Sequence, residues 1–259
     1  MRGVRPVPNF DLTQRVAFVT GGNGGIGLGM ARGLAEAGAT VVIAGRNETK
    51  AEAALRELRA LGEADFVALD VLDDASCRKA IDDTAARFGR LDVLVNNAGT
   101  TVRKQPQDLT PAEWRRVMDT NLTSAFVCAQ AAYPHMKRGG GGKIINIGSM
   151  MSIFASSYAA PYSASKGGIV QMARTLAVAW ATDNIQVNCI LPGWIDTDLT
   201  KTARAQVPGL NERVLERTPT GRWGAPADFA GIAVFLASRA SDFITGTAIP
   251  VDGGFSVQT

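Results

Sequence analysis

The chain has 259 residues, 46% hydrophobic and 20% charged, with a formal net charge of +3. That length and apolar share fit one α/β domain and exclude a disordered chain or a coiled coil. So small a cationic surplus marks neither a nucleic-acid partner nor a membrane surface. The apolar runs are interrupted, as by Arg174, before the ~18 residues of a membrane span.

Residues 1–14 carry Arg and Pro but no apolar stretch, so they read as a flexible arm and not a signal peptide, leaving 15–259 as a single domain. Arg15–Thr20 is a β-rich run leading into Gly21-Gly22-Asn23-Gly24-Gly25-Ile26-Gly27, and a helical pattern follows to Ala37. The second run, Thr40–Ala44, ends in Gly45-Arg46-Asn47, and Lys50–Leu61 then has apolar positions at helical spacing. Asp65–Leu69 precedes Asp70-Val71, and Leu91–Val95 precedes Asn96-Asn97-Ala98-Gly99. Thr110-Pro111-Ala112-Glu113 predicts a helix start, with Thr as cap, Pro in the first turn and Glu completing a capping box. The glycine run 139–142 reads as a flexible surface connection to the fifth run, Lys143–Ile147, which ends at Gly148-Ser149. Tyr162 to Ala181 is helical, Ile185–Leu191 leads into Pro192-Gly193-Trp194-Ile195-Asp196-Thr197, and Ala248–Val251 completes seven strands. The region from about 194 to 223 is the least regular. Near-continuous apolar strands alternating with helices predict a doubly wound α/β domain, its seven-stranded sheet mostly parallel with helices on both faces.

Three well-separated cysteines, Cys77, Cys128 and Cys189, read as buried free thiols of a reducing, cytoplasmic compartment. The one histidine, His135, leaves no basis for a metal site and is a poor base for a Ser-His-Asp triad. The strand-turn-helix setting of the glycine run suits a pyrophosphate, whose approach needs backbone N–H groups at a helix start. Its spacing can be read as Gly22, Gly24, Gly27 or as Gly21, Gly25, Gly27. About 20 residues on, where a carboxylate would select NAD, stands Arg46, which would pair with a 2′-phosphate; NADP is preferred, with NAD possible.

Tyr162 and Lys166 are one turn apart on a helix, so an ammonium lies beside a phenol and should lower its pKa. A phenol so tuned exchanges a proton with a carbonyl or alcohol oxygen while hydride moves at a nicotinamide. Ser149, at the end of the fifth strand, would hydrogen-bond that oxygen. These segments all follow strand carboxyl ends, where open parallel sheets bind ligands.

Together, Thr20-Gly21-x-x-x-Gly25-Ile26-Gly27, Asn96-Asn97-Ala98-Gly99, Ser149, Tyr162-x-x-x-Lys166 and Pro192-Gly193 resemble the short-chain dehydrogenase/reductase family in its single-domain, Rossmann-type branch. The resemblance implies Tyr162 as acid/base, Ser149 as oxygen binder, Lys166 as holder of the nicotinamide ribose, and Asn121 as anchor of a water in a proton relay. It implies that Asn23 and Ala98 join the glycines at the cofactor and that Asp70 and Val71 flank adenine. Asn97 and Gly99 would order the turn after the fourth strand, with Pro192, Gly193, Ile195 and Thr197 at the nicotinamide end. The region 194–223 would cover the substrate, with Trp194 lining its pocket. Two stretches, around Val102-Arg103-Lys104-Gln105-Pro106 and Arg217-Thr218-Pro219, are similar to gluconate 5-dehydrogenases and 2-deoxygluconate dehydrogenases, and make Arg103 the candidate for a substrate carboxylate. A 3-oxoacyl carrier-protein or general ketone reductase is the alternative enzyme, and a cofactor-binding regulator the alternative of another class. The C-terminal Val251-Asp252-Gly253-Gly254-Phe255 resembles a family tetramer contact, implying a homotetramer.

Overall fold

Strands rich in Val and Ile need cover on both faces, and here they have it. Every residue of β1 (Val16–Thr20) and β4 (Val93–Asn96) is buried. These coordinates are a computed structural model describing residues 8–258. With β2 (Thr40–Gly45), β3 (Ala64–Ala68), β5 (Gly142–Ile147), β6 (Ile185–Pro192) and β7 (Ala248–Val251) they form one sheet in the order β3-β2-β1-β4-β5-β6-β7. All six pairings are parallel, so the sheet is wholly rather than mostly parallel. The order reverses between β1 and β4, and the loops after these two strands border the crevice where such sheets bind dinucleotides.

Two apolar layers sandwich the sheet. On one face, α1 (Gly25–Glu36) and α2 (Glu48–Arg59) contribute Met30, Leu34 and Leu58 to a core shared with Phe229, Ala233 and Leu236. On the other, α3 (Asp74–Phe88) adds Cys77 and Ile81 to a core with Phe18, Leu94, Cys128 and Leu176. The capping box opens α4 (Pro111–Met118) as expected: the Thr110 hydroxyl accepts from the Glu113 N–H, and the Glu113 carboxylate accepts from the Thr110 N–H at 3.0 Å.

Three expectations are corrected. The described part of the N-terminal arm is docked: Phe10 lies 6.3 Å from the Phe235 ring, Leu12 is buried, and its N–H donates to Ala37 O at 2.9 Å. Apolar side chains spaced two apart give this segment a reason to pack; residues 1–7 of the arm lie outside the described residues. The glycine run 139–142 is a tied turn, since Gly140 and Gly141 have φ of 83° and 140° and Asn184 donates its side-chain amide to Gly140 O. The stretch expected to be least regular holds two helices, described below.

His135 lies near the end of α5 (Ser124–Arg138), which feeds the amino end of β5. Arg138 donates to its Nδ1 at 2.8 Å, so its Nε2–H is the donor to Asp82 at 2.6 Å. The imidazole thus belongs to the rim opposite the loops that follow the strands. All three cysteines are buried and free.

Candidate active site

At the carboxyl end of β1 the chain must turn sharply and let a helix start close by. Gly21 and Gly25 take φ of 64° and 54°, which favours glycine, and a Cβ on Gly27 would lie 2.4 Å from Gly21 O. Of the two spacings read from sequence, the structure therefore selects Gly21, Gly25 and Gly27. No side chain caps α1 and no acid occupies its first turn, so its leading N–H groups are available to an anion. The loop is clasped from β4: Asn97 donates its side-chain amide to Thr20 O and Gly21 O at 3.0 and 3.1 Å. The Thr20 hydroxyl accepts the N–H groups of Asn97 and Ala98. Thr20 is thus a structural member of the site that sequence reasoning quoted in a motif but gave no role.

A groove of about 330 Å³ runs along this rim. It joins the glycine loop to Asn97–Gly99, Ser149, Tyr162, Lys166, Pro192-Gly193, Ile195 and Thr197, all expected from sequence. Lys50, Asp198, Leu199 and Thr200 line it too and were not expected. Arg46, Asp70 and Val71 sit beyond the groove at the ends of β2 and β3. The Arg46 side chain is 75% exposed and its guanidinium lies 3.8 Å from the Asp70 carboxylate, a loose and solvated ion pair.

Ser149 follows β5, where its hydroxyl accepts from the Met151 N–H at 3.1 Å. Tyr162 and Lys166 project from α6 (Ala160–Trp180), with Lys166 Nζ 5.7 Å from the centre of the Tyr162 ring. Burial pushes the Tyr162 phenol up, while the Ser149 hydroxyl and the positive charge of Arg103 pull part of the way back. The expected lowering of Tyr162 by Lys166 is therefore not found. Lys166 is itself buried; it donates to Ile147 O at 2.6 Å, and burial lowers its ammonium from 10.5 to about 8. A cation so desolvated has lost much of its preference for being charged and holds the phenol weakly.

Asn121 is buried in a π-helical segment, Asp119–Thr123, between α4 and α5, where the Ser124 N–H reaches back five residues to Asp119 O. Such bulges gather at functional sites. Its side chain accepts from the Thr100 N–H at 2.7 Å and donates to Thr100 O and Ser165 Oγ, both at 3.0 Å. This fixes the turn after β4: a Cβ on Gly99 would lie 3.4 Å from Asn121 Oδ1 and 3.7 Å from Lys166 Nζ.

Arg103 is half-buried and close enough to act on Tyr162; the Lys104 N–H donates to Tyr158 O, which holds this segment beside the loop before α6. Trp194 lines an adjoining cavity instead of the main groove, packed edge-to-face on Trp223 at 5.7 Å. Residues 194–223 contain α7 (Asp198–Gln206) and α8 (Leu210–Arg217), which bury Ala203, Leu210 and Val214 against Trp194, Val207 and Trp223. Its two ends are laced together, Asp196 N–H to Gly224 O and Gly224 N–H to Trp194 O.

The donor set fits a dinucleotide: a glycine cradle, open N–H groups at a helix start, a guanidinium at the adenosine end, and Tyr162 with Lys166 at the other. A sequence-family profile described as enoyl-(acyl carrier protein) reductase matches residues 21–256. The chain is 42% identical over 249 residues to 2-dehydro-3-deoxy-D-gluconate 5-dehydrogenase of Escherichia coli, covering 95% of this chain and 97% of that one. It is 37% identical to gluconate 5-dehydrogenase of Gluconobacter oxydans, covering 96% and 97%. Among solved structures, a gluconate 5-dehydrogenase from Burkholderia cenocepacia in complex with NADP and tartrate is 42% identical, covers 97% and 99%, and superposes with a TM-score of 0.92.

Proposed function

The chain belongs to the short-chain dehydrogenase/reductase family, and from that premise we propose that it transfers hydride between NADP(H) and a secondary alcohol or ketone of a sugar acid, as a gluconate 5-dehydrogenase does. The observation that carries the reading is that Ser149, Tyr162 and Lys166 share one groove with the glycine cradle. Bound, the cofactor would supply or accept the hydride. The protein's own part is proton transfer and placement. In the reducing direction the Tyr162 phenol gives its proton to the substrate oxygen as the carbonyl becomes an alcohol. The Ser149 hydroxyl donates a hydrogen bond to the same oxygen, where negative charge develops. Lys166, one turn along α6 with its ammonium lowered by burial to about 8, lies beside the phenolate left behind. Asn121 keeps Gly99 and the turn after β4 in register with Lys166.

Arg103 is the candidate for the substrate carboxylate, since a guanidinium grips one with two parallel hydrogen bonds. A substrate panel read at the nicotinamide absorbance tests the reading, offering gluconate, 5-ketogluconate, 2-deoxygluconate and a 3-oxoacyl thioester with NADP(H) and NAD(H). Preference for the sugar acids supports it, and preference for the thioester replaces it with a 3-oxoacyl reductase.

A homotetramer is part of the proposal. Trp114, Phe126 and Val178 are exposed on α4, α5 and α6, an apolar set that an isolated chain would leave in water. The C-terminal Phe255, in the segment that resembles a family tetramer contact, packs within its own chain beside Phe154 and Arg217. No helix among the described residues is long and apolar enough to cross a membrane. A cytoplasmic setting accords with three unpaired cysteines.

A further inference from the structure

We infer that Lys50 is a second cation for the 2′-phosphate of NADP(H), beside Arg46, and that it leaves Asp198 to serve as one. This rests on the NADP reading above. The position of Lys50 follows from the corner after β2. Asn47 caps α2 and accepts the Lys50 backbone N–H at 2.8 Å. Asn23 of the glycine loop donates to Asn47 O at 3.2 Å, which laces that corner to the cradle. From there the Lys50 side chain lies across Gly24: a Cβ at that glycine would come within 2.6 Å of Cε and 2.9 Å of Nζ. Glycine at position 24 thus leaves room for the ammonium over the loop, where a larger residue would push it off.

The ammonium ends on Asp198 Oδ2 at 2.6 Å, and both residues line the groove. Asp198 opens α7, so the pair joins the adenosine end of the groove to the region covering the substrate. Both side chains are well exposed, at 45% and 75%, and an exposed pair of this kind is weakly held. Neighbouring Lys50 lowers the Asp198 carboxyl below its ordinary value, yet Asp198 carries one negative charge. A phosphate monoester carries about −1.5 to −2 and offers three acceptor oxygens. Placed between Arg46 and Lys50, it would outcompete the carboxylate and leave Asp198 with Lys201, now 3.9 Å away. NAD(H) has no such group and would leave the pair closed.

Calorimetric titration of the whole protein with 2′,5′-ADP and with 5′-AMP separates the possibilities, since the two probes differ only in the 2′-phosphate. Lys50→Met should weaken 2′,5′-ADP by about tenfold and leave 5′-AMP within about twofold, in keeping with loss of one charge-assisted contact. Asp198→Asn should tighten 2′,5′-ADP, because Lys50 is then unclaimed. Hydrogen exchange should report faster amide exchange at the start of α7 with 2′,5′-ADP than with 5′-AMP. If wild type prefers 2′,5′-ADP and Lys50→Met changes neither affinity, or both equally, the inference is overturned while the NADP reading stands. If wild type binds the two probes alike, the NADP reading itself falls.

Discussion

Lys166→Met should make the cofactor-free protein more stable at neutral pH while abolishing turnover. The lysine is 4% exposed, its ammonium donates to Ile147 O, and burial lowers it from 10.5 to about 8. At about 1.4 kcal/mol per pH unit, that fall corresponds to about 3 kcal/mol of strain on the folded state whenever the lysine is charged. Methionine removes the charge but strands the Ile147 carbonyl, which costs roughly 1–2 kcal/mol. The variant should therefore be more stable than wild type by about 1–2 kcal/mol at pH 7. Between about 8 and 10.5 the unfolded chain holds a proton on Lys166 that the folded chain has lost, so wild-type stability rises with pH in that window. The advantage of the variant should then shrink by about 2–3 kcal/mol from pH 7 to pH 10 and change sign near its upper end. Urea unfolding followed by circular dichroism, at fixed protein concentration because association shifts apparent stability, measures both curves. Parallel curves across this range would show that Lys166 is not strained by burial, and the argument would fail.

Tyr162→Phe should keep dinucleotide affinity within about twofold, since the ring remains, and reduce kcat by about 10²–10⁴, the usual worth of a positioned acid/base. Fluorescence titration with single-turnover kinetics checks both halves, and near-normal turnover would remove Tyr162 from its role. Light scattering on the eluting protein should give four times the 27.3 kDa chain mass. A monomer would refute the tetramer and leave Trp114, Phe126 and Val178 exposed, as they are in the single chain.

Most of the fold was legible because its signals are local. Strand runs such as Lys143–Ile147 and Ile185–Leu191 match β5 and β6 within a residue, and Thr110 with Glu113 announced the capping box. The lining of the groove was legible for a topological reason: segments following successive strands of a parallel sheet reach the same rim. What escaped depended on distant partners. The Lys50–Asp198 pair joins residues 148 apart, and nothing local to either marks the other. The direction of the Tyr162 shift was misread because helical spacing puts an ammonium near a phenol but is silent on burial, which dominates here. Leu12 was lost in a Pro-containing stretch although its slot on the sheet is fully closed. The π segment at Asn121 has no pattern distinct from an ordinary helix.

The small core formed by Ala203, Leu210 and Val214 meets one of the layers that hold the sheet through the shared Trp194, and hydrogen bonds between Trp194, Asp196 and Gly224 close the segment into a loop. Exchanging residues 203–214 for those of a relative should alter this small core while leaving Ser149, Tyr162 and Lys166, which lie outside it, in place.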